Sequence, residues 1–123
     1  MNDLEQIQSA IVNAIQARDT LINVLEGLLV HEAQADHAAE KARAKSYLVY
    51  STDGNKRTVA HLEALVMEEC DIVNLEAKLA KAKLQAAKAR LAAHESEISA
   101  FQSILSVRKS ELSAVRFGQH SGA

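Results

Sequence analysis

The sequence predicts an all-α protein, a long antiparallel helical hairpin that packs like a coiled coil. Proline is absent from the 123 residues, and only four of them are glycine. Aromatic residues are 3% of the chain while alanine is abundant, a composition that suits close-packed helices better than sheets. Apolar residues also recur at alternating steps of three and four, as in a helix that packs along one side.

The first arm of the predicted hairpin covers residues 3–51, and Asp3 suits its first turn. Arg18 and Glu32 interrupt its apolar stripe. Glycine costs about 1 kcal/mol inside a helix, so a bend near 27–34, after Gly27, would divide the arm and give three helices in all. The stripe consists of Leu4, Ile7, Ile11, Ala14, Leu21, Leu25, Leu28, Ala35, Ala39, Ala42 and Val49.

The second arm follows a turn predicted at 52–56, where Gly54 readily takes a positive φ. So short a turn predicts antiparallel neighbours. We expect one helix over 57–116, a single domain over 1–117 and a flexible tail over 118–123. The heptad positions of this arm are Val59, Val66, Cys70, Val73, Ala77, Ala80, Leu84, Ala87, Leu91, His94, Ile98, Phe101, Leu105, Arg108, Leu112 and Val115.

A second apolar stripe lies on the first half of this arm and is the candidate surface for an oligomer or a partner. One neighbouring helix covers only a narrow seam, so a helix with two stripes needs two partners. We favour a dimer of hairpins that forms a four-helix bundle, although a bend in the first arm could supply the second partner. The stripe consists of Leu62, Leu65, Ile72, Leu75 and Leu79.

The charges fall into bands of alternating sign. Residues 41–57 carry net +4, residues 58–77 net −5 and residues 78–90 net +5, within a formal charge of −2 for the chain. An antiparallel fold about Gly54 predicts ion pairs between the arms, with Lys45 near Glu63 and both Lys41 and Arg43 near Glu68. Such exposed pairs contribute mainly to register.

The two basic bands are also a candidate contact surface for nucleic acid. The turn adds Tyr47 and Tyr50, but we favour packing and intrachain pairing for these side chains. The lysines of 78–90 are spread around the helix, and no aromatic is interleaved to stack on a base. The candidate basic residues are Lys41, Arg43, Lys45, Lys56, Arg57, Lys78, Lys81, Lys83, Lys88 and Arg90.

Several classes of function are disfavoured by the sequence. We expect no enzyme and no cofactor, because no nucleophile with a base, carboxylate pair in a pocket or phosphate-binding glycine loop is evident. Cys70, His37 and Asp71 lack the spacing of a zinc site. The apolar run at 21–30 is too short for a membrane span. The single cysteine and the absence of a signal peptide at the start favour the cytoplasm.

Residues 31 to 112, approximately, share one layout: an alanine-rich helix with a terminal aromatic (AEKARAKSYLVY), a glycine turn, a Thr-Val-Ala start (RTVAHLEALV) and a long helix closing on FQSILSVRKSE. This layout resembles that of a group of short, uncharacterised helical accessory proteins of tailed bacteriophages. The resemblance implies a protein of the infected cell, encoded among early genes that often include recombination or replication functions. It implies no catalytic residue.

We therefore predict a non-enzymatic helical interaction protein, a phage accessory factor that acts in the host cytoplasm with DNA recombination or replication proteins or with other intracellular host-takeover proteins. Its partners would be a second copy, with a dimer favoured, and another protein. The first alternative is a structural or assembly coiled coil without a nucleic-acid role. The second is direct DNA binding through the basic bands.

Overall fold

Three helices lie within residues 3–121 in a computed structural model of the protein. They are α1 (Asp3–Thr52), α2 (Val59–Glu69) and α3 (Asp71–Ser121). The structure describes the backbone of residues 3–121 and the side chains of residues 3–115. The tail predicted from residue 118 is helical as far as Ser121, and residues 122 and 123 lie outside the described part.

Helix α1 runs without interruption for 50 residues. Asp3 and Glu5 lie in its first turn, where a negatively charged carboxylate interacts favourably with the unpaired amides at the start of a helix. Gly27 lies within the helix, and its φ is not positive. The alternative of a first arm divided into two helices near 27–34 is therefore not adopted, because regular helix hydrogen bonding outweighs the modest cost of one glycine.

The second arm is divided at Cys70, and this division gives the third helix. Cys70 has φ −95° and ψ 13°, which departs from regular helix geometry. Hydrogen bonds still cross the boundary, from the Cys70 amide to the Val66 carbonyl (3.0 Å) and from the Asn74 amide to the Cys70 carbonyl (2.9 Å). The single helix predicted over 57–116 is therefore wrong, although the departure is confined to one residue.

The chain forms two compact units. Unit 1 comprises residues 1–23 and 88–123, and unit 2 comprises residues 24–87. In unit 1, Asp3 of α1 lies 3.7 Å from Arg108 of α3, from carboxylate to guanidinium. In unit 2, Arg43 of α1 donates a 2.6 Å hydrogen bond to Asn74 of α3. The all-α fold with two long helices packed antiparallel is thus confirmed, whereas the dimeric bundle stays a prediction.

The seam between the helices, where they bury side chains against each other, follows most of the heptad positions predicted for the second arm. Val59 is an exception, since it is exposed and Leu62 is buried in its place, so the predicted seam position on α2 is wrong. The step from Leu62 to Val66 to Cys70 is four residues each time, in contrast to the alternating steps along α3. The buried residues are Ile11, Ala14, Ala39, Ser46, Leu62, Val66, Cys70, Ala80, Leu84, Ala87 and Ile98.

Candidate partner-binding surface

The turn between α1 and α2 is built around Arg57. Its guanidinium donates to both carboxylate oxygens of Asp53, at 2.9 and 2.7 Å, and to the Tyr50 carbonyl oxygen at 2.7 Å. Asp53 also accepts from the Asn55 amide at 3.0 Å, around Gly54 with its φ of 86°. Arg57 is therefore a structural residue of the turn and not a free basic group.

Tyr50 joins the same cluster from the end of α1. Its ring lies under the Arg57 guanidinium, 5.3 Å from ring centroid to Cζ, within the range of a cation–π interaction. The Glu69 carboxylate, as an acceptor for the Tyr50 hydroxyl, raises the pKa of the tyrosine together with burial. The other tyrosine, Tyr47, stays exposed. Of the two aromatics predicted at the turn, the structure places only Tyr50 in the cluster.

Helix α2 begins immediately after this cluster. The Thr58 hydroxyl caps it by accepting from the His61 amide at 3.1 Å. At the end of α1, the Thr52 hydroxyl donates to the Leu48 carbonyl at 2.7 Å. Side chains thus satisfy backbone groups at both helix ends, which leaves the turn with a fixed geometry.

The ion pairs predicted between the arms of the hairpin do not form. Arg43 bonds to Asn74 instead of pairing with Glu68, a difference of six residues, or about 9 Å along a helix. Within residues 3–115, neither Lys41 nor Lys45 pairs with a carboxylate. In unit 2 the predicted register is therefore wrong by more than one helical turn. In unit 1, Asp3 lies beside Arg108, within one turn of the position opposite it in an antiparallel fold about Gly54.

The second basic band also lacks partners. All five of its cations are exposed, and none takes part in an ion pair among the side chains that the structure describes. The intrachain pairing favoured from the sequence does not account for this charge. The five cations are Lys78, Lys81, Lys83, Lys88 and Arg90.

The second apolar stripe is partly buried in its own chain and partly exposed. Leu62 belongs to the core and Leu65 is half-buried. By contrast, Ile72, Leu75 and Leu79 keep 72%, 54% and 52% of their surface exposed. The part of the predicted stripe available to a partner is therefore confined to the first turns of α3.

Two alanines that the sequence prediction did not include extend this exposed stripe. Ala82 and Ala86 are exposed and follow Leu79 at steps of three and four. They lie on the opposite side of α3 from the buried Ala80, Leu84 and Ala87. We call the resulting surface the outer face of α3, and it consists of Ile72, Leu75, Leu79, Ala82 and Ala86.

Charged side chains border the outer face of α3. Glu76 and Lys83, both exposed, lie one heptad apart and so project from the same side of the helix. With Leu79 they line an open groove whose other wall is α1, through His31 and Gln34. The surface therefore combines an apolar centre with an acid and a base at its edge, which is the usual composition of a helix-pairing surface.

The three residues weighed for a zinc site differ in their exposure to solvent. Cys70 is buried, while His37 and Asp71 are exposed. No group of three or more His, Cys, Asp or Glu side chains suited to a metal ion occurs in the described part of the chain. Likewise, no helix within the described range is long and apolar enough to cross a membrane.

Comparisons of the chain with protein-family profiles, curated proteins and solved structures find no match. The case for a function therefore rests on the surfaces described above.

Proposed function

We propose that this protein is a non-enzymatic interaction module that binds a partner helix on the outer face of α3. The observation that carries the proposal is the exposure of Ile72, Leu75 and Leu79, three large aliphatic side chains aligned on consecutive turns. Isolated exposed apolar residues are ordinary, whereas a contiguous apolar patch marks an interaction site.

The energetics support a surface of this kind. Full burial of one large aliphatic side chain contributes roughly 1.5 to 3 kcal/mol. Since Ile72, Leu75 and Leu79 remain more than half exposed, a partner that covered them would gain roughly 2 to 5 kcal/mol at this centre. A few central residues of this type dominate the binding energy of most interfaces.

The resemblance of residues 31–112 to short phage proteins supports a setting for this role. We propose an accessory factor of the infected cell, acting in its cytoplasm beside proteins that recombine or replicate DNA. The alternative of a purely structural assembly coiled coil would use the same outer face. It predicts large regular oligomers, whereas an accessory factor predicts small discrete complexes.

A photo-crosslinking amino acid at position 75, in cells that express the chain, tests the proposed function. We expect a covalent adduct with a protein, because Leu75 lies at the centre of the outer face. Position 48 is the matched control, since Leu48 is equally a leucine, is exposed and lies on α1. Absence of an adduct at 75, or equal adducts at 75 and 48, would contradict the proposal.

Direct nucleic-acid binding is a second candidate, and one observation favours it. The cations of residues 78–90 are exposed and lack ion-pair partners within the described side chains. Unpaired lysines and arginines can replace the counterions of a phosphate backbone. Their dispersal around α3 weighs against a single contact stripe, which is why we rank this function second.

Fluorescence anisotropy with labelled single- and double-stranded DNA tests the second candidate. Backbone binding predicts an affinity that falls steeply with salt, and a shallower dependence for Lys81→Glu/Lys88→Glu. No binding of either DNA at low salt would exclude this function and leave the helix-pairing proposal intact.

A further inference from the structure

We propose that the occupant of the outer face of α3 is a second copy of this chain, paired antiparallel across a twofold axis near Leu79. In this dimer Glu76 of each copy lies against Lys83 of the other. The inference rests on the proposed function, that this face binds a helix, and it names the partner and the geometry.

The order of charges along the chain supports antiparallel self-pairing. Residues 58–77 carry net −5 and residues 78–90 carry net +5, so the sign changes near residue 78. Antiparallel pairing about that point sets the acidic band of each copy against the basic band of the other. Parallel pairing would set like charges side by side, and like-charge contacts disfavour an interface.

Glu76 and Lys83 are the residues that would form specific ion pairs across this antiparallel dimer. They flank the outer face on the same side, and the midpoint between them falls beside Leu79. Neither forms an ion pair in its own chain among the described side chains. A twofold axis at their midpoint forms two Glu76–Lys83 pairs at once, because an isologous interface repeats every contact.

The sizes of the apolar side chains support the same axis independently of charge. The outer face begins with the large residues Ile72 and Leu75 and ends with the small residues Ala82 and Ala86. Antiparallel pairing about Leu79 sets Ile72 against Ala86 and Leu75 against Ala82. Large side chains then meet small ones at both ends, as close packing between helices requires.

Disulfide crosslinking of the purified full chain tests the geometry. In a Cys70→Ala background, we expect Leu79→Cys to form a covalent dimer on mild oxidation, because position 79 adjoins its own counterpart. Ile72→Cys should not crosslink to itself, but should crosslink to Ala86→Cys in a mixture of the two chains. If Cys70→Ala lowers the helicity, the same variants are made with the buried Cys70 retained. The parent chain, oxidised in the same way, then shows how much crosslinking comes from Cys70 alone.

Charge exchange tests the pairing of Glu76 with Lys83. Glu76→Lys and Lys83→Glu should each weaken the dimer about tenfold in sedimentation experiments, since each creates two like-charge contacts. The double variant Glu76→Lys/Lys83→Glu should regain the parental affinity. Lys81→Glu is the matched control, because it makes the same charge change on α3 but projects from another side, and it should leave the dimer intact.

Three results would overturn the inference: self-crosslinking of Ile72→Cys, no rescue by the double charge variant, or a purified chain that stays monomeric at every concentration tested. The first two indicate a different pairing. A monomer that still forms an adduct with another protein through position 75 in cells would refute the second copy and leave the proposed function standing. A monomer without any adduct would refute both.

Discussion

The Arg57 guanidinium donates hydrogen bonds to both carboxylate oxygens of Asp53, at 2.9 and 2.7 Å, and this pair closes the turn between α1 and α2. The paired geometry fixes the orientation of the guanidinium, whose other contacts are the carbonyl and the ring of Tyr50. The turn is therefore a packed unit that sets where α2 begins, and only Lys56 of its basic residues projects freely.

The Asp53 carboxylate makes the stability of this turn depend on pH. The hydrogen bonds from Arg57 and from the Asn55 amide lower the pKa of Asp53 from 3.8 to about 2. A lowered pKa in the folded protein stabilises it above the unfolded value, and this contribution disappears as the pH falls from 3.8 towards 2. We expect the Tm of the parent chain to exceed that of Asp53→Asn near neutral pH, and the gap to close over this acidic range.

The asparagine in this variant still accepts from the Asn55 amide, so the comparison isolates the carboxylate charge. Thermal unfolding followed by circular dichroism at a series of pH values measures the gap. Lys56→Gln is the control for a change of charge at an exposed neighbour, and its difference from the parent should not vary over the same range. A gap for Asp53→Asn that persists unchanged to pH 2 would contradict the assigned pairing.

The seam between the helices was predictable because it depends on spacing alone. From Val66 to Leu105 every predicted heptad position of the second arm is buried or half-buried. Even His94 follows the pattern, half-buried and 3.9 Å from the Glu97 carboxylate. Helical periodicity fixes which side of α3 faces inward, whichever residue of α1 lies opposite.

The register and the charge pairing were not predictable in the same way. Arg43 and Asn74 lie on either side of a non-helical segment, residues 53–58, in which Arg57 bonds to Tyr50 and Asp53. Counting residues back from Gly54 treats that segment as a tight turn. Alternating charge bands indicate that opposite charges can meet, but they do not specify whether the partner lies in the same chain or in another.

Two glycines should respond in opposite directions to alanine. Gly27 lies inside α1 with open space around the site of a Cβ, so Gly27→Ala should stabilise the protein by roughly 1 kcal/mol. Gly54 has a φ of 86°, which L-residues adopt only with strain, so Gly54→Ala should destabilise it by roughly 1 to 2 kcal/mol. Urea unfolding at equal protein concentrations measures both. A loss of stability in Gly27→Ala would contradict a continuous α1.

The same leucine-to-alanine change at Leu84 and at Leu48 compares a core position with a surface position. Leu84 keeps only 4% of its surface exposed, so Leu84→Ala should cost about 2 to 5 kcal/mol through lost burial and the remaining cavity. Leu48 keeps 63% exposed, and the same change there should alter stability by less than about 0.5 kcal/mol. Urea unfolding of the two variants makes the comparison. Equal losses would show that the seam does not run through Leu84.

Ser46 is the one buried polar residue of the seam among the described side chains, and its hydroxyl has no hydrogen-bond partner there. An unsatisfied buried hydroxyl costs roughly 1 to 3 kcal/mol, and alanine retains the Cβ contacts without that group. Ser46→Ala should therefore raise the free energy of unfolding by about 1 kcal/mol or more. Ser9→Ala on the exposed side of α1 is the control, because it reports only the higher helix propensity of alanine, under about 0.7 kcal/mol. If both variants gain equally, the hydroxyl of Ser46 is satisfied in solution and this position does not strain the seam.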